Sequence, residues 1–119
     1  MNISKQIKIG EVIISSSILE TIAGIATHKV EGVAPLEKGF VSSIKDRFGK
    51  KAVTKGIVVK VENSKAIVDV NISVNYGKNL IKVATNVQEE VEKAIKTMTN
   101  LEVENVNVTV SEVNIATEK

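Results

Sequence analysis

The stretch from Ile57 to Tyr76 constrains this chain more than any other. Ile57, Val59 and Val61 alternate with Val58, Lys60 and Glu62. Beyond Asn63–Ser64, the residues Ala66, Val68, Val70, Ile72, Val74 and Tyr76 alternate with Ile67, Asp69, Asn71, Ser73 and Asn75. Successive side chains of a strand point to opposite faces. A sustained period of two, interrupted by a turn pair, therefore predicts a β-hairpin with one apolar and one polar face. The apolar face has to be covered.

The flanking segments supply the cover. After Gly77, Leu80, Ala84, Val87, Val91, Ala94 and Met98 recur at intervals of four and three, with Gln88, Glu89, Glu90, Glu92, Lys93 and Lys96 between them. This predicts a long amphipathic helix, with Asn100 as its C-cap. Upstream, Ile18, Ile22, Ile25 or Ala26, and Val30 have helical spacing; Ser15–Ser16–Ser17 offer N-caps, and Ser17 with Glu20 fits a capping box, for a helix over about 16–29. Ala23, Gly24 and Ala26 keep one side of that helix slim enough for a close neighbour. Gly32 and Pro35 end the unit.

Two more strands complete the order. One runs through Ile7, Ile9, Val12 and Ile14 with a phase slip at Gly10–Glu11. The other runs through Leu101, Val103, Val106, Val108 and Val110 with a slip at Glu104–Asn105. The order β-α-β-β-α-β predicts a single α+β domain over 1–119, with one sheet and both helices on its apolar face, of the split βαβ type. Residues 36–56 read as a flexible basic insertion with one helical turn around Ser43–Phe48, and 116–119 as a frayed tail.

Composition removes several kinds of chemistry. The chain has no cysteine, so disulfides, thiolate metal sites and cysteine nucleophiles are excluded. No apolar run is long enough to span a membrane, and Met1–Lys8 lacks the core of a signal peptide, so a cytoplasmic protein is expected. His28, the single histidine, stands near a helix end, where a cation suits the dipole. Asp69 is central to a strand on an open polar face, which offers a general acid or base neither a pocket nor a reason for a shifted pKa. There is no nucleophile elbow, no Walker loop and no Gly-x-Gly-x-x-Gly. No catalytic, cofactor-binding or metal-ligating residue is therefore assigned, and no cofactor is expected.

Two surfaces remain for binding. Between Lys38 and Lys55 there are six basic residues against Asp46 alone, while the rest of the chain is net acidic. Arg47, Lys50 and Lys51 are the candidate contacts for a phosphate or a partner, although a charge run is most often a solvated loop. The sheet's open face offers Asp69, Asn71, Ser73, Asn107 and Thr109 as a candidate interface. It carries no aromatic for stacking bases, so no DNA is expected and RNA is the weaker alternative to a protein partner.

The residues also carry a family resemblance. Gly10-x-Val12-x-Ile14-Ser15 is followed by Ile18, by Ile22-Ala23-Gly24-x-Ala26 and by Val30-Glu31-Gly32-Val33. Further on come Lys55-Gly56, Val74-Asn75-Tyr76-Gly77, Val87-Gln88, Met98-Thr99 and Val106-Asn107-Val108-x-Val110. As an ordered set, these pieces resemble the alkaline shock protein family, the envelope stress response proteins of Gram-positive bacteria. Asn100 and Glu112 depart from the pattern, standing where relatives commonly have glycine. The resemblance implies a non-enzymatic protein that works through protein contacts and can self-associate; some relatives are held at the cytoplasmic membrane by a separate anchoring protein, so membrane contact is expected to be peripheral or through a partner. Gly39-Phe40 and Phe48-Gly49-Lys50-Lys51 resemble more the branch linked to fatty-acid synthesis.

Overall fold

The computed structural model describes residues 11–35 and 53–115. Ile7 and Ile9 of the expected first strand, the segment 36–52 and the tail 116–119 lie outside them. Within the described residues the elements run α1 (Ser16–His28), β1 (Val33–Ala34), β2 (Ile57–Glu62), β3 (Lys65–Asn75), α2 (Leu80–Thr99) and β4 (Glu102–Asn114). The fold class is α+β, as the alternation and helical spacings predict.

β2 and β3 form the expected antiparallel hairpin, with Glu62 opposite Lys65. Asn63 and Ser64 both take positive φ, 52° and 66°. Two left-handed residues in a two-residue loop make a type I′ turn, whose twist matches that of the strands it joins. On the other side of β3, β4 pairs along its whole length and in parallel. The β3–α2–β4 unit therefore closes with its strands adjacent, rather than split by a third strand. The ladder skips a residue twice, between Ala66 and Ile67 and between Ile72 and Ser73. The first skip is the Glu104–Asn105 slip visible in the sequence.

The first expected strand is corrected in part, because Glu11–Ser15 form no strand. Val12 and Ile13 are exposed there, and only Ile14 packs against the core. A two-residue strand not foreseen, Val33–Ala34, pairs with Val74 and Ser73 at the far end of β3. Of the three serines that offer caps, Ser15 is the N-cap of α1, its Oγ accepting the Ile18 N–H at 3.3 Å, while Ser17 of the expected capping box lies inside the helix. Asn79 does the same for α2, accepting from Lys82 at 2.9 Å.

One apolar cluster joins α1, α2 and the inward rows of the sheet. β3 contributes Ala66, Val68, Val70, Ile72 and Val74, each no more than 2% exposed. On α1 Ile22, Ala26 and Val30 are buried as the spacing predicts, joined by Leu19 and Ala23, while Ile18 is exposed. On α2 the stripe is turned: Val87 and Val91 are buried as expected, but with Val83 and Ile95, while Leu80 and Met98 are exposed. Each fully buried valine or isoleucine contributes roughly 1.5–3 kcal/mol relative to an exposed one, so the phase that buries the larger set wins. Asn100 ends α2 in the left-handed conformation, its N–H reaching the Lys96 carbonyl at 3.0 Å. The slim face of α1 has its close neighbour: Gly24 lies against the backbone of Val53.

Candidate functional site

The outward rows of the sheet are fixed by the ladder. One row carries Val58, Asp69 and Asn107, the next Asn71 and Thr109, and a third Lys60, Ile67 and Asn105. Asp69, Asn71, Asn107 and Thr109 are exposed, and they form one continuous polar strip across β3 and β4. Neighbouring strands stand about 4.8 Å apart, which suits short side-chain bridges. The Asn107 amide donates to Asp69 Oδ1 at 3.0 Å, and the Ser111 hydroxyl donates to Asn71 Oδ1.

Ser73 is a correction. The alternation places it on this strip, but it is fully buried and its Oγ has no hydrogen-bond partner among the described residues. It lies opposite Ala34, which is buried too, and beside Glu112, so the exposed strip stops short of this end of the sheet. Lys60 is opposite Ile67 rather than Asp69. Arg47, Lys50 and Lys51 lie outside the described residues.

What the strip can do chemically follows from its members. The Asp69 carboxylate is held by a neutral amide in the open, and no second titratable side chain shares its row. The result is a flat ladder of amide, hydroxyl and carboxylate groups with hydrogen-bonding capacity to spare. His28 lies apart from it at the end of α1. Desolvation there lowers its pKa from the ordinary 6.5, so the helix-end dipole is not the dominant influence on its charge. Among the described residues no group of three or more His, Cys, Asp or Glu is placed to hold a metal, and no helix is long and apolar enough to cross a membrane.

A second feature was not legible in the sequence. Gln88 of α2 reaches β4, its Nε2 donating to the Val106 carbonyl at 3.0 Å. Around that bond a cavity of about 200 Å³ opens between helix and strand, lined by Gln88, Glu89, Glu92, Val103, Glu104, Asn105 and Val106. The helix pattern shows these carboxylates only as members of a polar face. Their position over the strand depends on how α2 lies against β4.

Sheet and helices together define a small α+β domain with a polar strip on its open face. The chain belongs to the alkaline shock protein 23 family, described as having a cell envelope-related function, whose pattern it matches over residues 4–115. It is 35% identical to the Bacillus subtilis (strain 168) protein YqhY over 100 residues, which is 84% of this chain and 74% of that one. A Streptococcus pyogenes serotype M6 protein, Spy1535, is 34% identical over 101 residues, 84% of this chain and 76% of that one. Stress response regulator gls24 homologs of S. pyogenes are 30% identical over 105 residues, covering 87% of this chain and 59% of theirs. Among solved structures, a MamM-CTD variant superposes with a TM-score of 0.51 at 13% identity, over 82% of this chain and 99% of that one, a likeness of fold alone. The resemblance read from the sequence is thereby established, and with it an envelope- and stress-related class of function.

Proposed function

We propose that this protein is a non-catalytic binding or scaffold protein in cell-envelope stress response or lipid-metabolism homeostasis, acting through protein–protein contacts. The observation that carries the reading is the exposed polar strip of Asp69, Asn71, Asn107 and Thr109 in a chain of an envelope-related family. A flat surface of paired amides and hydroxyls is suited to docking a partner and has no cleft in which to enclose a substrate. In this reading the protein is cytoplasmic, self-associates, and meets the membrane through an anchoring partner. The branch linked to fatty-acid synthesis is favoured by Gly39-Phe40 and Phe48-Gly49-Lys50-Lys51.

The test is site-specific photo-crosslinking in the native host, with the probe at Asn71 or Thr109 and a control probe at Lys93 on the helix side. Protein adducts specific to the two strip positions are expected. Equal labelling from Lys93, or recovery of nucleic acid alone, would sink the reading. A second reading rests on the charge run: Arg47, Lys50 and Lys51 bind RNA or an anionic surface. It requires affinity that falls steeply with salt and is lost when all three become alanine.

A further inference from the structure

We infer that the β2–β3 half of the open sheet face is an interface between two copies of this chain, packed face to face about a two-fold axis. The inference rests on the proposed reading of the open face as a protein-docking surface, and it names the partner and the contacts.

The ladder fixes the patch. Val58 lies opposite Asp69 and Lys60 opposite Ile67, so these four outward residues form one block of two rows and two strands. Val58 is 49% exposed, Lys60 and Asp69 are exposed, and Ile67 is partly exposed. The two apolar residues stand at opposite corners of the block, and covering them is favourable. Lys60 and Asp69 hold the other two corners. Neither has an ionic partner among the described residues, and the Asp69 carboxylate accepts from the neutral Asn107 amide. The block therefore carries one cation and one anion that a second molecule can satisfy.

Symmetry decides what that molecule is. A two-fold axis relating two sheets packed face to face lies in the plane between them, so each axis direction dictates the pairs. An axis running along the strands or straight across them sets charged groups on apolar ones, or Asp69 on itself. The diagonal through Lys60 and Asp69 sets each charge against its own copy. The other diagonal, through Val58 and Ile67, sets Val58 on Val58, Ile67 on Ile67, and each Lys60 on the other copy's Asp69. The block is thus complementary to itself about one axis. With strands about 4.8 Å apart and alternate residues about 6.8 Å apart, that axis crosses the two sets of strands at about 70°. This is nearer the orthogonal than the aligned class of sheet packing. Glu102 falls on the same diagonal at the end of β4, a corner where the twist of the two sheets carries them apart. Asn71 and Thr109 stand outside the block and remain available to another partner.

Sedimentation equilibrium of the full chain at low salt tests this, and a dimer is expected. Lys60→Asp and Asp69→Lys, each with an unchanged melting temperature, should each weaken association about tenfold, because each sets like charges at both symmetric contacts. Mixed in equal amounts, the two variants should associate as the parent does, since each supplies the charge that the other faces. The chain has no cysteine, so Val58→Cys introduces a single thiol on the axis. A bismaleimide spanning about 10 Å, the separation of packed sheets, should join two copies through it but not through Thr109→Cys. The inference is overturned by a monomer at every concentration, by single variants that associate as well as the parent, by a mixture that does not associate, or by equal cross-linking through Thr109→Cys. Adducts of other proteins from a probe at Asn71 would survive each of those outcomes, and their absence would leave the dimer standing, so the two readings fail separately.

Discussion

Replacing Gly24 by alanine sets two known magnitudes against each other. In a helix interior the change ordinarily stabilises by about 1 kcal/mol, because glycine loses more backbone entropy on folding. Here the added Cβ would lie 2.3 Å from the Val53 carbonyl oxygen, 2.7 Å from Val53 Cγ1 and 3.0 Å from the Val53 carbonyl carbon. The first of these is far inside contact distance and involves backbone, which cannot rotate aside. Either α1 or the Val53 backbone must retreat by most of an ångström. Overpacking of this kind costs roughly 1–3 kcal/mol, and separating the two elements removes further contacts. The net expectation for Gly24→Ala is a loss of about 1–2 kcal/mol, each kcal/mol lowering the melting temperature by about 4–8 °C. Urea denaturation followed by circular dichroism measures it, with Thr21→Ala in the same helix as the control for propensity. Val53→Ala in the Gly24→Ala background should restore little, since the nearest clash is with a carbonyl. If Gly24→Ala matched or exceeded the parent in stability, the packing argument for α1 would be refuted.

Three further outcomes are expected. Ile95→Ala, at a fully buried position, should cost about 2–5 kcal/mol, whereas Met98→Ala on the exposed side of the same helix should change stability by no more than about 0.5 kcal/mol; paired urea melts decide which helical phase is buried. Ser64→Gly should raise stability by up to about 1 kcal/mol in thermal melts, because it relieves a left-handed residue in the type I′ turn, and Asn100→Gly should act in the same direction at the end of α2. His28 has a folded-state pKa below its unfolded value, so below pH 6.5 the unfolded chain takes up the proton first. Its contribution is therefore present above that pH and lost as pH falls through the lowered value, and a series of urea melts on His28→Gln should show a shallower decline than the parent over that window.

How far the fold can be read from the chain depends on whether the residue's environment is set locally. The hairpin of β2 and β3 is legible because its two faces meet different surroundings at every step, and Asn63–Ser64 carries its own turn chemistry. The slip at Glu104–Asn105 shows in the sequence because a bulge shifts the alternation itself. β1 leaves no such mark: two residues before Pro35 form a strand only because β3 extends past the end of β2 and offers them an unpaired stretch. The phase of α2 is missed in part for a related reason. α2 carries apolar residues on two adjoining stripes, and only the lie of the sheet decides that Val83 and Ile95 go in while Leu80 and Met98 stay out. At the polar strip, Asp69, Asn71, Asn107 and Thr109 follow from the alternation, whereas Ser73 obeys the same alternation and is nevertheless fully buried, which no local pattern announces. The groove beneath α2 joins residues that no spacing relates.

β1 and β2 lie end to end along one edge of β3, with Ala34 opposite Ser73 and Ile57 opposite Val70. The two points where the chain leaves that edge and rejoins it are thus three residues of β3 apart, about 10 Å. Everything between them, including Arg47, Lys50 and Lys51, is inserted at a single place on the sheet. Val53, just before the chain rejoins the sheet, is itself packed on Gly24. The insertion is therefore held at both ends, by the pairing of β1 and by that contact, so any change of its length has to fall before Val53 if α1 is to keep its neighbour.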